Sequence, residues 1–184
     1  MTGNPGHKLS RGQARLVVTM PPSPSRLGDA LAADIASEYI ALARTTDAFR
    51  HLANIARDRF TIMIPYVDAV GADWASELFS LTAASERLLV LRDTSQLTRC
   101  GDAGLRLKNL VTRLINYGGA DLSLETFHAK IVLADGVAAY VGSANLLKRS
   151  KHFNLECGVL LEGPAVTGVK VLLDAVTSMI DLEG

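Results

Sequence analysis

The chain has 184 residues, 48% of them hydrophobic and 21% charged, which suits one packed globular domain and is too short for two of ordinary size. Lys plus Arg and Asp plus Glu each number 19, so no global basic excess points to a nucleic acid, and only a local patch would serve one. Cys100 and Cys157 form neither a disulfide framework nor a metal-ligand spacing, and no apolar run has the length of a signal-peptide core or a membrane span. The expectation is a cytoplasmic protein without a membrane segment.

Residues 1–24 read as an N-terminal lead-in and 25–184 as the domain. Within the lead-in, residues 1–15 are polar, and Leu16 to Met20 form a short strand pattern that Pro21-Pro22-Ser23-Pro24 stops. From Leu27 to Ala43 the apolar positions Leu31, Ile35, Tyr39 and Leu42 recur at helical spacing. Thr46 or Asp47 is placed to cap a second helix carrying Phe49, Leu52 and Ile55. Phe60 to Pro65 reads as a buried strand, Ala72 to Ala84 as a helix and Leu88 to Leu91 as a second buried strand. Leu105 to Ile115 has helical periodicity through Leu107, Leu110, Val111 and Leu114, ended by Gly118-Gly119, and Ala120 to Leu124 follows as a further strand. After a hairpin comes a strand at Leu155 to Leu161. A last helix runs from Pro164 to Ile180, with Val166, Val169, Leu172, Leu173 and Val176 inward. Strands alternating with helices and ending in a hairpin predict an α/β domain with a mixed sheet.

The stretch from Phe127 to Leu161, which contains the hairpin, carries the chemistry. A period of two over Phe127 to Ala134 sets His128 and Lys130 on one face of a strand. Asp135-Gly136 is a hairpin turn signal, and the return strand Val137 to Val141 delivers Gly142, Ser143 and Asn145 beside the start of its partner. A lysine in the middle of a buried strand is costly unless a charge or ligand meets it. With His128 it supplies a nucleophile or acid/base next to a fixed cation, and Ser143 and Asn145 add neutral hydrogen-bonding groups, a set that suits a phosphate. Gly142 clears space for a ligand to approach the backbone, and Asp135 has a structural part in the turn. Glu156, after Asn154, is placed to accept a hydrogen bond from the His128 ring. Lys148, Arg149 and Lys151 form a basic run beside the motif, candidates for tracking a phosphodiester chain.

Written as H-x-K-x4-D-x6-G-S-x-N, this stretch resembles the HKD motif of the phospholipase D superfamily, with every position filled. The resemblance implies an α/β/α sandwich and a metal-independent phosphodiesterase with no cofactor. In that mechanism one motif histidine forms a phosphohistidine and a second protonates the leaving oxygen. The catalytic residues carried over are His128, Lys130, Asn145 and Glu156. Lys130, Ser143 and Asn145 would hold the phosphate, and Gly142 and Asp135 are structural.

The scheme needs two motif histidines and the chain has one; His7, His51 and His152 do not begin His-x-Lys. The economical solution is a homodimer that joins two motifs across a two-fold axis. The architecture is similar to single-motif nucleases of the superfamily, so nucleic acid is the expected substrate, DNA or RNA being left open. The alternatives are a phospholipid-cleaving enzyme and an inactive interaction module. The leading segment is weakly similar to phospholipase D-like proteins of anti-phage systems such as DISARM, which would imply a defence-system ATPase or helicase partner.

Overall fold

The computed structural model describes residues 12–27, 29, 40–42, 44–118 and 126–181, with side chains described throughout except at 40–42 and 179–181. Its elements are β1 (Gln13–Thr19), β2 (Ile40–Leu42), α1 (Thr45–Ile55), β3 (Arg59–Ile64), α2 (Ala69–Leu81), β4 (Glu86–Leu91), α3 (Ser95–Arg99) and α4 (Asp102–Leu110). They continue with β5 (Arg113–Asn116), β6 (Ile131–Ala134), β7 (Ala138–Gly142), α5 (Lys148–His152), β8 (Glu156–Glu162), a 3-10 turn (Gly163–Ala165) and α6 (Val166–Asp181).

The strands form one mixed eight-stranded sheet in the order β2-β1-β8-β7-β6-β3-β4-β5 among the described residues. β3, β4 and β5 run parallel, while β6, β7, β8 and β1 join antiparallel. On one face Phe49 and Leu52 of α1, Trp74 and Leu78 of α2, Leu97 of α3 and Leu107 of α4 pack on Ile62, Leu89, Val132 and Tyr140. On the other, Val166, Leu173 and Val176 of α6 pack on Met63, Val90, Leu133 and Ala139. Helices on both faces of a mixed sheet make the expected α/β/α sandwich.

Several expectations shift. β1 begins at Gln13 and pairs with β8 along its whole length, so part of the expected lead-in belongs to the sheet. The polar residues Gln13 and Arg15 lie exposed there, which removes the apolar signal. Ile40–Leu42, expected to end a helix, is a strand parallel to β1; most of that helix, the Ala120–Leu124 strand and His7 lie outside the described residues. α1 starts at Thr45 after Arg44 and has no side-chain cap. Thr45 is instead bonded to Thr19, with its N–H donating to Thr19 Oγ1 at 2.7 Å.

The helix expected over Leu105–Ile115 is two elements. α4 stops at Leu110 and β5 pairs with β4 from Leu88↔Arg113 to Leu91↔Asn116. Thr112 locks the change, since its hydroxyl accepts from Arg87 N at 2.8 Å and its own N–H donates to Arg87 O. Satisfying the backbone edge of β4 outweighs a local helical period. In α6, Leu172 is 50% exposed rather than inward.

The β6–β7 turn is fixed by Asp135 (φ 53°) and Gly136 (φ 80°), both in the left-handed region that Asp tolerates and Gly favours. The Asp135 carboxylate accepts from Arg57 N at 2.7 Å, Asp58 N at 2.9 Å and Arg59 N at 2.7 Å. It thereby ties the turn to the start of β3. Asp135→Ala should lower the unfolding free energy by about 2–4 kcal/mol, from three lost charge-assisted bonds and a Cβ without local compensation at positive φ. A urea titration checks this through a lower midpoint at unchanged slope; a loss below about 1 kcal/mol would contradict the clamp.

Candidate active site

The antiparallel arrangement brings the start of β6, the ends of β7 and β3, the start of β8 and the end of β1 to one edge of the sheet. His128 and Lys130 precede β6, whose ladder begins at Ile131, rather than lying within it. Lys130 is still joined to β7, its carbonyl accepting from Gly142 N at 3.1 Å. The His128 side is exposed, whereas Lys130 is only 5% exposed.

The Lys130 ammonium donates to the His128 carbonyl at 2.8 Å and lies 2.8 Å from Nδ1 and 3.1 Å from Nε2 of the His128 ring. To accept from the ammonium, a ring nitrogen must present its lone pair. Burial pushes the Lys130 ammonium below its ordinary value, and the Glu156 carboxylate opposes that shift.

Glu156, 4% exposed at the start of β8, accepts a short hydrogen bond from Ser143 Oγ and a second from Asn154 Nδ2 at 3.3 Å. The expected bond from the His128 ring is replaced by these two. β7 lies between β8 and β6, so Ser143 at the end of β7 reaches the carboxylate first. Ser143 Oγ also accepts from Cys157 N at 3.0 Å, which ties the hydroxyl to β8. The Asn145 Oδ1 is buried without a hydrogen-bond partner among the described residues, an unsatisfied acceptor beside the motif.

Packing alone requires a glycine at position 142. A Cβ there would lie 2.3 Å from the Tyr140 hydroxyl, and one at Gly158 would lie 2.3 Å from the same ring. The two glycines make room for a buried tyrosine, and no ligand approach is needed to explain Gly142. The segment after the motif is anchored by Asp68, whose carboxylate caps α2 through Gly71 N at 2.8 Å and accepts from Lys148 N at 2.8 Å.

The basic run lies on a short helix, α5. Lys148 and Arg149 are exposed. Lys151 is committed elsewhere: its Nζ is 3.5 Å from Glu77 and 5.7 Å from the centre of the Trp74 ring. Sequence reasoning missed Tyr66, whose ring meets His128 edge-on at 5.9 Å and 67° while its hydroxyl accepts from Arg92 at 3.1 Å. The only sequence signal was its place directly after the buried strand and Pro65. Among the described residues, no three His, Cys, Asp or Glu side chains gather as a metal site, and no helix is long and apolar enough to cross a membrane.

Fold and motif together define a phospholipase D-type domain. The chain belongs to the family described as cardiolipin synthase, PLD-like domain, whose model matches residues 49–172. It is similar in structure to Nuc, a phospholipase D family member from Salmonella typhimurium, at TM-score 0.59 and 16% identity, covering 91% of this chain and 93% of that one. NucT from Helicobacter pylori matches at TM-score 0.55 and 14% identity, over 92% of this chain and 96% of its own. Phosphatidylserine synthase from Haemophilus influenzae Rd KW20 matches at TM-score 0.50 and 12% identity, over 92% of this chain but 38% of its own. At these identities the structural matches establish the fold. No curated protein sequence matches the chain, and the weaker likeness to anti-phage proteins finds no support in these comparisons.

The buried ammonium gives a direct test. The unfolded chain keeps lysine at the ordinary 10.5, while the folded protein releases the Lys130 proton at lower pH. Between the two values the unfolded state binds more protons, so this group's contribution to stability rises with pH there. A 13C NMR titration should place the Lys130 Cε midpoint below 10.5, and vanadate should move it up by favouring the charged form. A midpoint at or above 10.5 without an anion would contradict the desolvated setting.

Proposed function

We propose that the chain is a metal-independent phosphodiesterase acting on nucleic acid, with its active site completed by a second copy. The observation that carries this reading is the exposed His128 imidazole braced against the nearly buried Lys130 ammonium at the strand edge. When a phosphoryl oxygen draws the Lys130 ammonium away, the ring lone pair it held is released as a nucleophile, and an ammonium held in low dielectric is a preorganised partner for that oxygen.

In the first step a His128 nitrogen attacks phosphorus, forming a P–N bond as the P–O bond to the leaving group breaks. A second imidazolium gives its proton to the departing oxygen. Water then attacks phosphorus and releases His128, and the second imidazole takes a proton from that water. Lys130 and the Asn145 amide stabilise charge on the non-bridging oxygens. Ser143 and Asn154 hold the Glu156 carboxylate in place, and its charge in turn favours the Lys130 ammonium.

The second imidazole is assigned to His128 of a two-fold-related copy. An apolar strip beside the site favours such a partner. Leu16 and Val141 flank Val159 in register on neighbouring strands, and Phe153 and Leu155 near α5 are 48% and 44% exposed. Burying them against a second copy would remove apolar surface from water. Lys148 and Arg149, exposed next to the motif, favour a polyanionic substrate over a single headgroup.

Phosphodiester cleavage should persist in excess EDTA; loss on chelation with rescue by magnesium would contradict the mechanism. His128→Ala should cost more than the ~10²–10⁴-fold typical of losing general acid catalysis alone, because each mutant dimer loses both roles. Under subunit exchange with a ninefold excess of His128→Ala, activity per wild-type chain should fall to about a tenth, since a productive pair needs two wild-type copies. Full activity from an isolated monomer, or indifference to the mutant despite demonstrated exchange, would contradict the composite site.

A further inference from the structure

A second group of cations lies on the same sheet edge, away from the His128 cluster. A cleft of about 440 Å³ is lined by Thr19, the Met20–Ser23 segment, Arg44, Lys151 and His152, a volume in the range of small-ligand sites. Of its described lining residues, Arg44, Lys151 and His152 are basic types and none is acidic, in a chain whose acidic and basic residues balance, and Lys151 is already paired with Glu77. Arg44 is exposed, and its guanidinium has no hydrogen-bond or ion-pair partner among the described residues. Thr19 is not free in this way, because its hydroxyl is bonded to Thr45.

The position of the cleft relative to the motif follows from strand register. Lys130 adjoins Gly142 of β7, Gly142 pairs with Gly158 of β8, and Glu156 of β8 pairs with Thr19 of β1. That is three strand spacings, about 14 Å across the sheet. At the ~3.4 Å rise of a helical nucleic acid strand, this distance corresponds to about four nucleotide steps, and to fewer in an extended strand. α5 lies between the two places: Asn145 N donates to Ser150 Oγ at 3.2 Å, while His152 at the other end of α5 lines the cleft.

We propose that this cleft is a second phosphate subsite, in which Arg44, assisted by His152, holds the backbone of a nucleic acid several nucleotides from the phosphate at His128. The inference rests on the nucleic-acid reading of the site and adds a length requirement to it. A planar guanidinium without a protein carboxylate is suited to bidentate phosphate binding.

The test compares a dinucleotide with a dodecanucleotide, in cleavage by the wild type and in binding to the catalytically disabled His128→Ala protein. The wild type should prefer the longer chain. Arg44→Ala should reduce that preference, weakening dodecanucleotide binding by about tenfold, the loss of one charge-assisted contact. The slope of log binding constant against log salt should shrink by about 0.7, one phosphate on a single strand. Arg44→Lys should keep that slope, which separates lost charge from a disturbed start of α1. An unchanged slope and unchanged length preference, while His128-dependent cleavage persists, would overturn the subsite and leave the reading of the active site standing. Equal losses on dinucleotide and dodecanucleotide would also overturn it. If Arg44→Ala weakens binding to vesicles of anionic phospholipid and not to the oligonucleotide, the cleft serves a lipid surface and the proposal fails. No cleavage by the wild type, with no oligonucleotide bound by His128→Ala, would overturn both readings.

Discussion

A lysine ammonium held almost out of water is the constraint on which the site depends. Lys130 is 5% exposed, and a charge in that position is costly unless groups around it recover the lost hydration. Here the recovery is partial: a carbonyl and a ring from His128, and the field of Glu156. The same contacts that house the cation orient the imidazole, so the two cannot be placed independently. Glu156 is in turn fixed by Ser143 and Asn154. In the proposed reaction a phosphate would bring negative charge to a cation whose desolvation has already been met by folding, which is the form of preorganisation that lowers a barrier.

The sheet makes that arrangement. One turn, clamped through the Asp135 carboxylate to three backbone amides at the start of β3, sets the register of β6 against β7. The register then decides that Gly142 stands beside Lys130 and that Ser143 meets β8. The Gly142–Tyr140–Gly158 contact holds β7 against β8 with no room for a Cβ at either glycine. Packing at one place thus fixes polar geometry at another. The parallel strands contribute Tyr66, held by Arg92 against His128 from the side opposite β7.

The hairpin and its motif were legible because their signals are local: an alternation of two, an Asp-Gly turn and a fixed run of polar residues. The buried strands β3 and β4 were legible for a similar reason, as short apolar runs. What could not be read depended on distant partners. Val111 and Leu114 continue the period of α4, yet Thr112 and the free edge of β4 turn the chain into β5. Glu156 seemed poised for His128 until strand order placed Ser143 between them. Lys151 looked like its neighbours Lys148 and Arg149, but α2 supplies Glu77 and Trp74 to occupy it. Arg44 gave no signal, since the cleft it lines is built from residues of β1 and α5, distant in the chain.

The most direct test of the account is to trap the covalent intermediate. A phosphodiester substrate in EDTA, quenched in alkali during turnover and analysed by mass spectrometry, should leave a substrate-derived phosphoryl adduct on the His128 peptide. The adduct should be acid-labile, as a phosphoramidate is, and absent from Lys130-containing peptides carrying His128→Ala. Turnover that proceeds with no adduct on His128 under conditions where an intermediate accumulates, or with the adduct on Ser143, would contradict the assignment of His128 as the nucleophile.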